Sequence, residues 1–148
     1  MTPPLPRRAW LALVAAALGA PERLRTACAQ EASPLGWTEQ PATLAGADVI
    51  AVGLGAAHDD DGPLAAARLA ARRRGQTRAV ALIQRWADDA LAAVESGPRQ
   101  AQAVHDAISA RATLSRVRAR ADGSALVEVR CPLSALRAAF DHPQVPWH

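Results

Sequence analysis

The sequence predicts an α+β fold, in which one long helix rich in alanine and arginine packs on a small, mostly antiparallel sheet of about three strands, with short helices besides. Three observations carry this prediction. Residues 64–94 contain no proline and have alanine as their commonest residue, which favours helix. A β-branched run at residues 49–52 predicts a buried strand. Alternating apolar and charged residues on both sides of Asp122 and Gly123 predict a hairpin.

The chain of 148 residues is long enough for one domain but not for two well-packed cores. We expect four segments along it. These are an export signal, a flexible tether, a single α+β domain and a frayed tail, over residues 1–29, 30–46, 47–140 and 141–148.

The export signal is predicted from an arginine pair followed by an apolar run over residues 9–20. This run is shorter than the about 20 apolar residues that span a bilayer. Ala27 and Ala29 occupy the small-residue positions of a cleavage site, so the mature chain would begin at Gln30. The arginine pair also resembles a twin-arginine signal. The alternative is a buried N-terminal helix of a cytoplasmic protein.

Cys28 is the candidate lipidation site, because bacterial lipoproteins are cut just before a cysteine. A lipobox requires an apolar residue three positions before that cysteine, where this chain has Arg25. Lipidation of Cys28 and cleavage after Ala29 therefore stay open as alternatives. Either way we expect an exported protein of the periplasm or outer membrane, held at a membrane only through such a lipid anchor.

The charge of the chain depends on this signal. The whole sequence carries 17 basic and 14 acidic residues, for a net charge of +3. Residues 30–148 contain 13 of each and are neutral. A basic net charge is the usual reason to expect nucleic-acid binding, and residues 30–148 have none. A nucleic-acid partner is therefore not expected.

The predicted first strand is followed by Gly53 and Gly55, which we interpret as glycines that let the chain turn off the strand. A dinucleotide-binding fingerprint would need a third glycine at the position of His58. Three aspartates then follow, and their charges would repel a pyrophosphate. We therefore predict no cofactor.

His58 and Asp59 to Asp61 could be interpreted as a metal cluster, because imidazole and carboxylates are common ligands. Acidic residues before Gly62 and Pro63 are also typical of a helix start. The oxygen ligands that an EF-hand needs further along are missing. We predict no metal site and no catalytic residue, since the chain also lacks lysine, tyrosine and a nucleophile motif.

The long helix is predicted from Leu64 to about Val94. We place Trp86 at the centre of its buried stripe, which comprises residues 79, 82, 83, 86, 90 and 94. Gly75 predicts a kink or tight packing within the helix. Five arginines of this helix are interpreted as a solvated face; they are Arg68, Arg72, Arg73, Arg74 and Arg78. Arg68, Arg72 and Arg73 could also be partners of acidic residues on a neighbouring subunit.

A second helix is predicted over residues 99–110, with His105 beside its apolar stripe, and a terminal helix over residues 133–140. For the hairpin we predict a three-residue loop at residues 122–124, with Gly123 or Ser124 in the left-handed region. That loop pairs Val117 with Val129 and Arg118 with Glu128.

Four stretches carry a resemblance to a known family. They are Val52-Gly53-Leu54-Gly55, the Ala-Arg-Leu-Ala-Ala-Arg-Arg run of residues 67–73, residues 79–83, and Val127-Glu128-Val129-Arg130. Over residues 47–140 the chain resembles the LPP-twenty family of bacterial envelope lipoproteins, which shares its small α+β domain with the N-terminal part of the flagellar assembly T protein. The resemblance implies an envelope protein that acts through assembly, sometimes alongside flagellar structures, without catalytic residues.

Two functions are therefore carried forward. The first is a non-enzymatic envelope protein that forms a homo-oligomer or binds another envelope protein. The second is a periplasmic small-ligand binder or enzyme that uses His58, Asp59 to Asp61 and His105. A cleft that gathers His58 and His105 would favour the second function, because catalysis requires its groups within hydrogen-bond reach of one substrate.

Overall fold

A computed structural model describes residues 38–147 and confirms the α+β class. The predicted export signal, the cleavage and lipidation sites around Cys28, and residues 30–37 of the predicted tether lie outside the described residues. The elements are β1 (Gln40–Ala45), β2 (Asp48–Gly55), a 3-10 turn (Asp59–Asp61), α1 (Leu64–Ala92), α2 (Pro98–Arg111), β3 (Thr113–Ala119), β4 (Ala125–Pro132) and α3 (Leu133–Ala139).

The four strands form one antiparallel sheet in the order β1-β2-β4-β3. On one face, alternate side chains of the two central strands join the helices in a hydrophobic core; they include Val49, Ala51, Val127, Val129 and Cys131. On the other face Ile50, Val52 and Leu126 are also buried. Burial on both faces explains the nearly continuous apolar run of β2.

The fourth strand is a correction to the predicted tether, because residues 40–45 form β1. A two-residue turn connects β1 to β2, and Gly46 in this turn has a φ of 65°, which glycine adopts without strain. Glu39 fixes the start of the strand: its Oε2 accepts a hydrogen bond from the Leu54 amide at 3.0 Å. The mixed composition of residues 30–46 does not favour a strand, so the sequence did not predict β1. Residues 40–45 form a strand because they pair with β2.

Helix α1 packs very closely on β2, and small residues make this possible. A Cβ atom on Gly55 would lie 1.7 Å from the carbonyl oxygen of Ala71, and one on Gly53 would lie 2.3 Å from that of Gly75. The interpretation of Gly53 and Gly55 as residues that turn the chain off the strand is therefore wrong. Both lie within β2 and make room for the helix backbone. The tight packing predicted at Gly75 is confirmed, since a Cβ there would lie 2.7 Å from Val127 Cγ2.

The buried stripe of α1 differs from the predicted one for the same reason. It consists of Ala71, Gly75, Ala79, Ile83, Ala87, Ala90 and Leu91. Trp86 is half-buried beside it. The prediction followed the largest apolar side chains, whereas the helix turns its smallest residues toward the sheet because its backbone approaches β2 so closely.

The hairpin register is two residues away from the predicted one. Val117 pairs with Val127 and Arg118 with Leu126, so Glu128 lies opposite Arg116 instead. The loop forms one residue earlier because the Asp122 carboxylate accepts hydrogen bonds from the amide and the hydroxyl of Ser124, at 3.0 and 2.6 Å. The separation of the two faces survives, because a shift of two residues preserves the alternation. Gly123 has a φ of 81°, as predicted for the left-handed position.

The prediction of a frayed tail at residues 141–148 is also wrong, because Val145 and Trp147 are buried in the core. The indole rings of Trp147 and Trp86 lie 5.8 Å apart between centroids. Burial of two large aromatic surfaces offsets the cost of ordering a short segment that follows the last helix.

Candidate functional site

The first polar cluster connects the loop after β2 to α1. The backbone amide of His58 donates to Asp61 Oδ2 at 2.8 Å, and the imidazole of His58 is exposed. Arg74 on α1 forms a two-point ion pair with the Asp61 carboxylate, with Nη1 donating to Oδ1 at 3.0 Å. Its Nε also donates to the carbonyl of Ala56 at 2.9 Å. The hydrogen bond from Arg74 lowers the pKa of Asp61. The cluster therefore fixes the loop against the helix.

The second cluster joins the two long helices. His105 Nε2 on α2 lies 2.7 Å from Asp88 Oδ1 on α1, and both side chains are partly exposed. Asp88 comes fourteen residues after Arg74 in the same helix. At 1.5 Å per residue the two clusters are about 21 Å apart along α1. The structure therefore does not bring His58 and His105 into one cleft.

Three depressions on the described surface, of about 480, 580 and 270 Å³, do not contain these histidines either. Asp59 and Asp60 are exposed in the 3-10 turn, and within residues 38–147 no three His, Cys, Asp or Glu side chains come together as metal ligands. None of the described helices is long and apolar enough to cross a bilayer. The polar clusters thus connect elements of the fold.

Glu128 is fully buried on the sheet face opposite the helices. Arg130, two residues further along β4, donates to its Oε1 from both Nε and Nη2 at 3.1 Å. Removal of Arg130 would deprive a buried carboxylate of charge-assisted hydrogen bonds, which is costly. The alternation of residues in the sequence predicts that Glu128 lies on the same face of the hairpin as the arginines, but it does not predict that the side chain is buried.

Cys131 is a buried thiol on the helix-facing side of β4. Burial raises its pKa to about 11, so it stays protonated at neutral pH. A protonated, enclosed thiol is a poor nucleophile and behaves as a small apolar side chain.

The five arginines of α1 interpreted as a solvated face fall into two groups, and Arg74, which pairs with Asp61, belongs with Arg78 in the second. Arg68, Arg72 and Arg73 are exposed, as predicted for a solvated face. Arg78, in contrast, contacts Glu39, with Nε and Nη2 each 3.2 Å from Oε1. The ion pair connects α1 to the residue just before β1, a contact that the predicted tether could not reveal.

The most exposed part of the sheet is β3, which forms its edge. Among residues 38–147 only β4 pairs with β3. Val117 is 39% exposed on the helix side, because α1 covers the central strands and leaves β3 largely uncovered. An open groove of about 580 Å³ runs between α1 and the end of α2, and its lining includes Val80 and Ala112.

The residues of this edge are strongly basic. The segment 107–121 contains no acidic residue and four arginines, which are Arg111, Arg116, Arg118 and Arg120. Alternation places the last three on the sheet face opposite the helices. The sequence showed the alternation of arginines but not that this strand would be the edge, since strand order depends on pairing across the whole domain.

Comparison with protein-family models, with curated proteins and with solved structures finds no match to the chain.

Proposed function

We propose that this chain is a non-enzymatic envelope protein that works through protein contacts, in a homo-oligomer or with another envelope protein. The observation that carries the proposal is strand β3, with which only β4 pairs among residues 38–147 and whose Val117 side chain is 39% exposed. A strand with an unpaired edge presents backbone hydrogen-bonding groups that another chain can satisfy. The described polar clusters, by contrast, connect neighbouring elements and do not surround a cavity.

The export part of the proposal rests on the sequence. An arginine pair, a short apolar run and the small residues Ala27 and Ala29 are typical of a cleaved signal. Cys28 is the proposed anchor if the chain is a lipoprotein, as the resemblance to the LPP-twenty family suggests. Association with surface or flagellar structures is part of the same proposal.

Cell fractionation followed by intact-mass measurement tests export. We expect the protein in the periplasmic or outer-membrane fraction, with a mass that begins at Gln30. A mass that begins at Cys28 with added acyl chains would select the lipoprotein alternative. An unprocessed N-terminus in the native host would contradict export.

Cross-linking in intact cells tests the protein contacts, with light scattering of the purified protein as the measure of self-assembly. We expect a discrete cross-linked species, either a homo-oligomer or a complex with one envelope protein. A strictly monomeric protein that cross-links to nothing would contradict the proposed function.

A further inference from the structure

We propose that α1 packs antiparallel against α1 of a second copy of this chain, in the groove between α1 and α2. The inference rests on the proposed function, because it assigns a surface to the homo-oligomer suggested there.

The surface is a stripe of side chains on α1 that extends over about 22 Å, from residue 73 to residue 88. Its members are three or four residues apart, so they lie on one side of the helix, and none of them belongs to the buried stripe. We call them the outer stripe; they are Arg73, Thr77, Val80, Gln84 and Asp88. All of these except Asp88 line the groove.

Several side chains of the outer stripe have no partner within residues 38–147. Arg73 is exposed and pairs with no carboxylate, and Thr77 and Gln84 form no side-chain hydrogen bond. The adjacent Arg74, in contrast, is paired with Asp61. No acidic residue occurs among residues 64–87, so this part of α1 offers Arg73 no carboxylate of its own. The groove therefore presents a cation and several hydrogen-bonding groups to a partner.

The two ends of the outer stripe carry opposite charges, with Arg73 at one end and Asp88 at the other. Asp88 contacts His105 through Oδ1, and its side chain is 47% exposed, so Oδ2 can accept from a guanidinium as well. Two antiparallel copies would place Arg73 of each opposite Asp88 of the other, and the twofold symmetry gives this ion pair twice. Two parallel copies would place like charges side by side, which is destabilising.

The middle of the outer stripe suits the same arrangement. The twofold axis for these ion pairs crosses α1 between Val80 and Ala81, at equal distance along the helix from both ends of the stripe. The small side chains at the axis let the two helices approach closely. Thr77 then lies opposite Gln84 of the second copy, whose amide can donate to the hydroxyl.

The groove has room for the partner helix. It measures about 580 Å³, and α1 forms one wall while the end of α2, with Ser109, forms the other. Helices pack by fitting the side-chain ridge of one into the groove of the other. The ridge of the second copy would comprise Thr77, Ala81 and Gln84, which also line the groove. Each copy can therefore fill the groove of the other.

Analytical ultracentrifugation of the full chain, purified from its native host, measures this association. We expect a reversible dimer with a Kd of about 10 μM or tighter, since the contact is small. The dimer should weaken as salt is raised, because exposed ion pairs are screened. A protein that stays monomeric at about 100 μM would overturn the inference.

Charge exchange tests the register of the two helices. Arg73→Asp and Asp88→Arg should each raise the Kd at least about tenfold, because each places like charges opposite one another twice. Combining both changes in one chain should restore the Kd nearly to its original value. The controls are Arg72→Asp and Asp89→Arg, at exposed neighbours outside the outer stripe, and they should leave the Kd unchanged. Failure of the combined variant to restore the dimer, or an equal loss in the controls, would overturn the inference.

A substitution at the twofold axis gives an independent test. Ala81→Arg would bring two arginines together at the axis and should prevent dimer formation. Ala92→Arg, at the exposed end of α1, is its control and should have no effect. If Asp88→Arg does not fold because it loses the contact with His105, Arg73→Asp and Ala81→Arg decide the test.

Cross-linking in intact cells separates this inference from the proposed function. A homo-oligomer that persists in Arg73→Asp and in Ala81→Arg would contradict the inference and leave the proposed function standing. A cross-link to a different envelope protein that is lost in Arg73→Asp would mean that the groove binds that protein, which also overturns the inference. If no cross-link forms even with the original chain, the proposed function itself fails.

Discussion

The two halves of α1 pack on the rest of the domain in opposite ways. In the N-terminal half, Ala71, Gly75 and Ala79 bring the helix backbone against the two glycines of β2. In the C-terminal half, Ile83 and Leu91 fill the core, and Trp86 packs on the tail. The first contact depends on the absence of side chains and the second on their volume. A substitution that adds atoms should therefore harm one half, and one that removes atoms should harm the other.

The largest effect is expected for Gly55→Ala. The added Cβ would lie 1.7 Å from the carbonyl oxygen of Ala71, and neither backbone can move without separating helix and sheet. We expect a loss of about 3 kcal/mol or more in the free energy of unfolding, at the upper end of overpacking effects. Chemical denaturation measures it.

Gly97→Ala is the control for this substitution. A Cβ at Gly97 would approach only the flexible end of Gln100, at 2.9 Å, so the cost should be about 1 kcal/mol or less. Equal effects of Gly55→Ala and Gly97→Ala would contradict the close packing of α1 on β2.

Removal of volume tests the other half of the helix. Trp147→Ala should reduce the free energy of unfolding by about 3 kcal/mol, because a buried indole leaves a cavity in the core. The double variant with Trp86→Ala should reveal a coupling of about 0.5 to 1.5 kcal/mol between the two rings. Phe140→Leu is the control for this coupling, because the ring of Phe140 stacks on His142 and not on either indole. A silent Trp147→Ala would mean that the tail is not part of the core.

The contact between Asp61 and Arg74, in the N-terminal half of α1, should make the stability of the protein depend on pH in the acidic range. Arg74 holds the pKa of Asp61 below its ordinary value of 3.8, chiefly through hydrogen bonds to the carboxylate. A lowered pKa in the folded state stabilises the protein above pH 3.8, and this stabilisation is lost as the pH falls through the folded value. The melting temperature of Asp61→Asn should therefore be lower than that of the original at pH 7, with a difference that shrinks below pH 3.8.

Asp60→Asn, at an exposed neighbour in the same turn, is the control and should leave the melting temperature unchanged across this range. A constant difference for Asp61→Asn from pH 7 to pH 2 would be inconsistent with the ion pair.

The smallest effect is expected for Asp88→Asn in the C-terminal half of α1. The pair with His105 is partly exposed on both sides, and such pairs contribute about 0.5 kcal/mol. Chemical denaturation should show a small loss in the free energy of unfolding for Asp88→Asn and none for Asp89→Asn next to it. A loss as large as that of Trp147→Ala would mean that α2 depends on this pair and not on apolar packing.

The contrast between the halves also explains what the sequence could predict. The start of α1 at Leu64 and the strand at residues 49–52 followed from composition and periodicity, which are local properties. Residues 79, 83 and 90 of the predicted stripe are buried, whereas Gly75 and Ala87 were missed because periodicity weights large side chains. Of the candidate site residues, the sequence singled out His58 and His105 by chemical type. It could not show that the two histidines belong to clusters at different positions along α1, because this depends on how the loop and α2 pack on that helix.

The sequence by itself determined the three helices and strands β2 to β4, the alternation that puts arginines on one face of β3, and the neutral charge of residues 30–148. Only the tertiary structure decided that residues 40–45 form a fourth strand, that Trp147 packs against Trp86, and that β3 lies at an edge of the sheet formed by residues 38–147. The physical reason is that hydrogen-bond periodicity and side-chain alternation act between neighbours in the chain. Strand order, close approach and burial are determined by residues far apart in sequence, whose contacts form only when the helix and the sheet pack together.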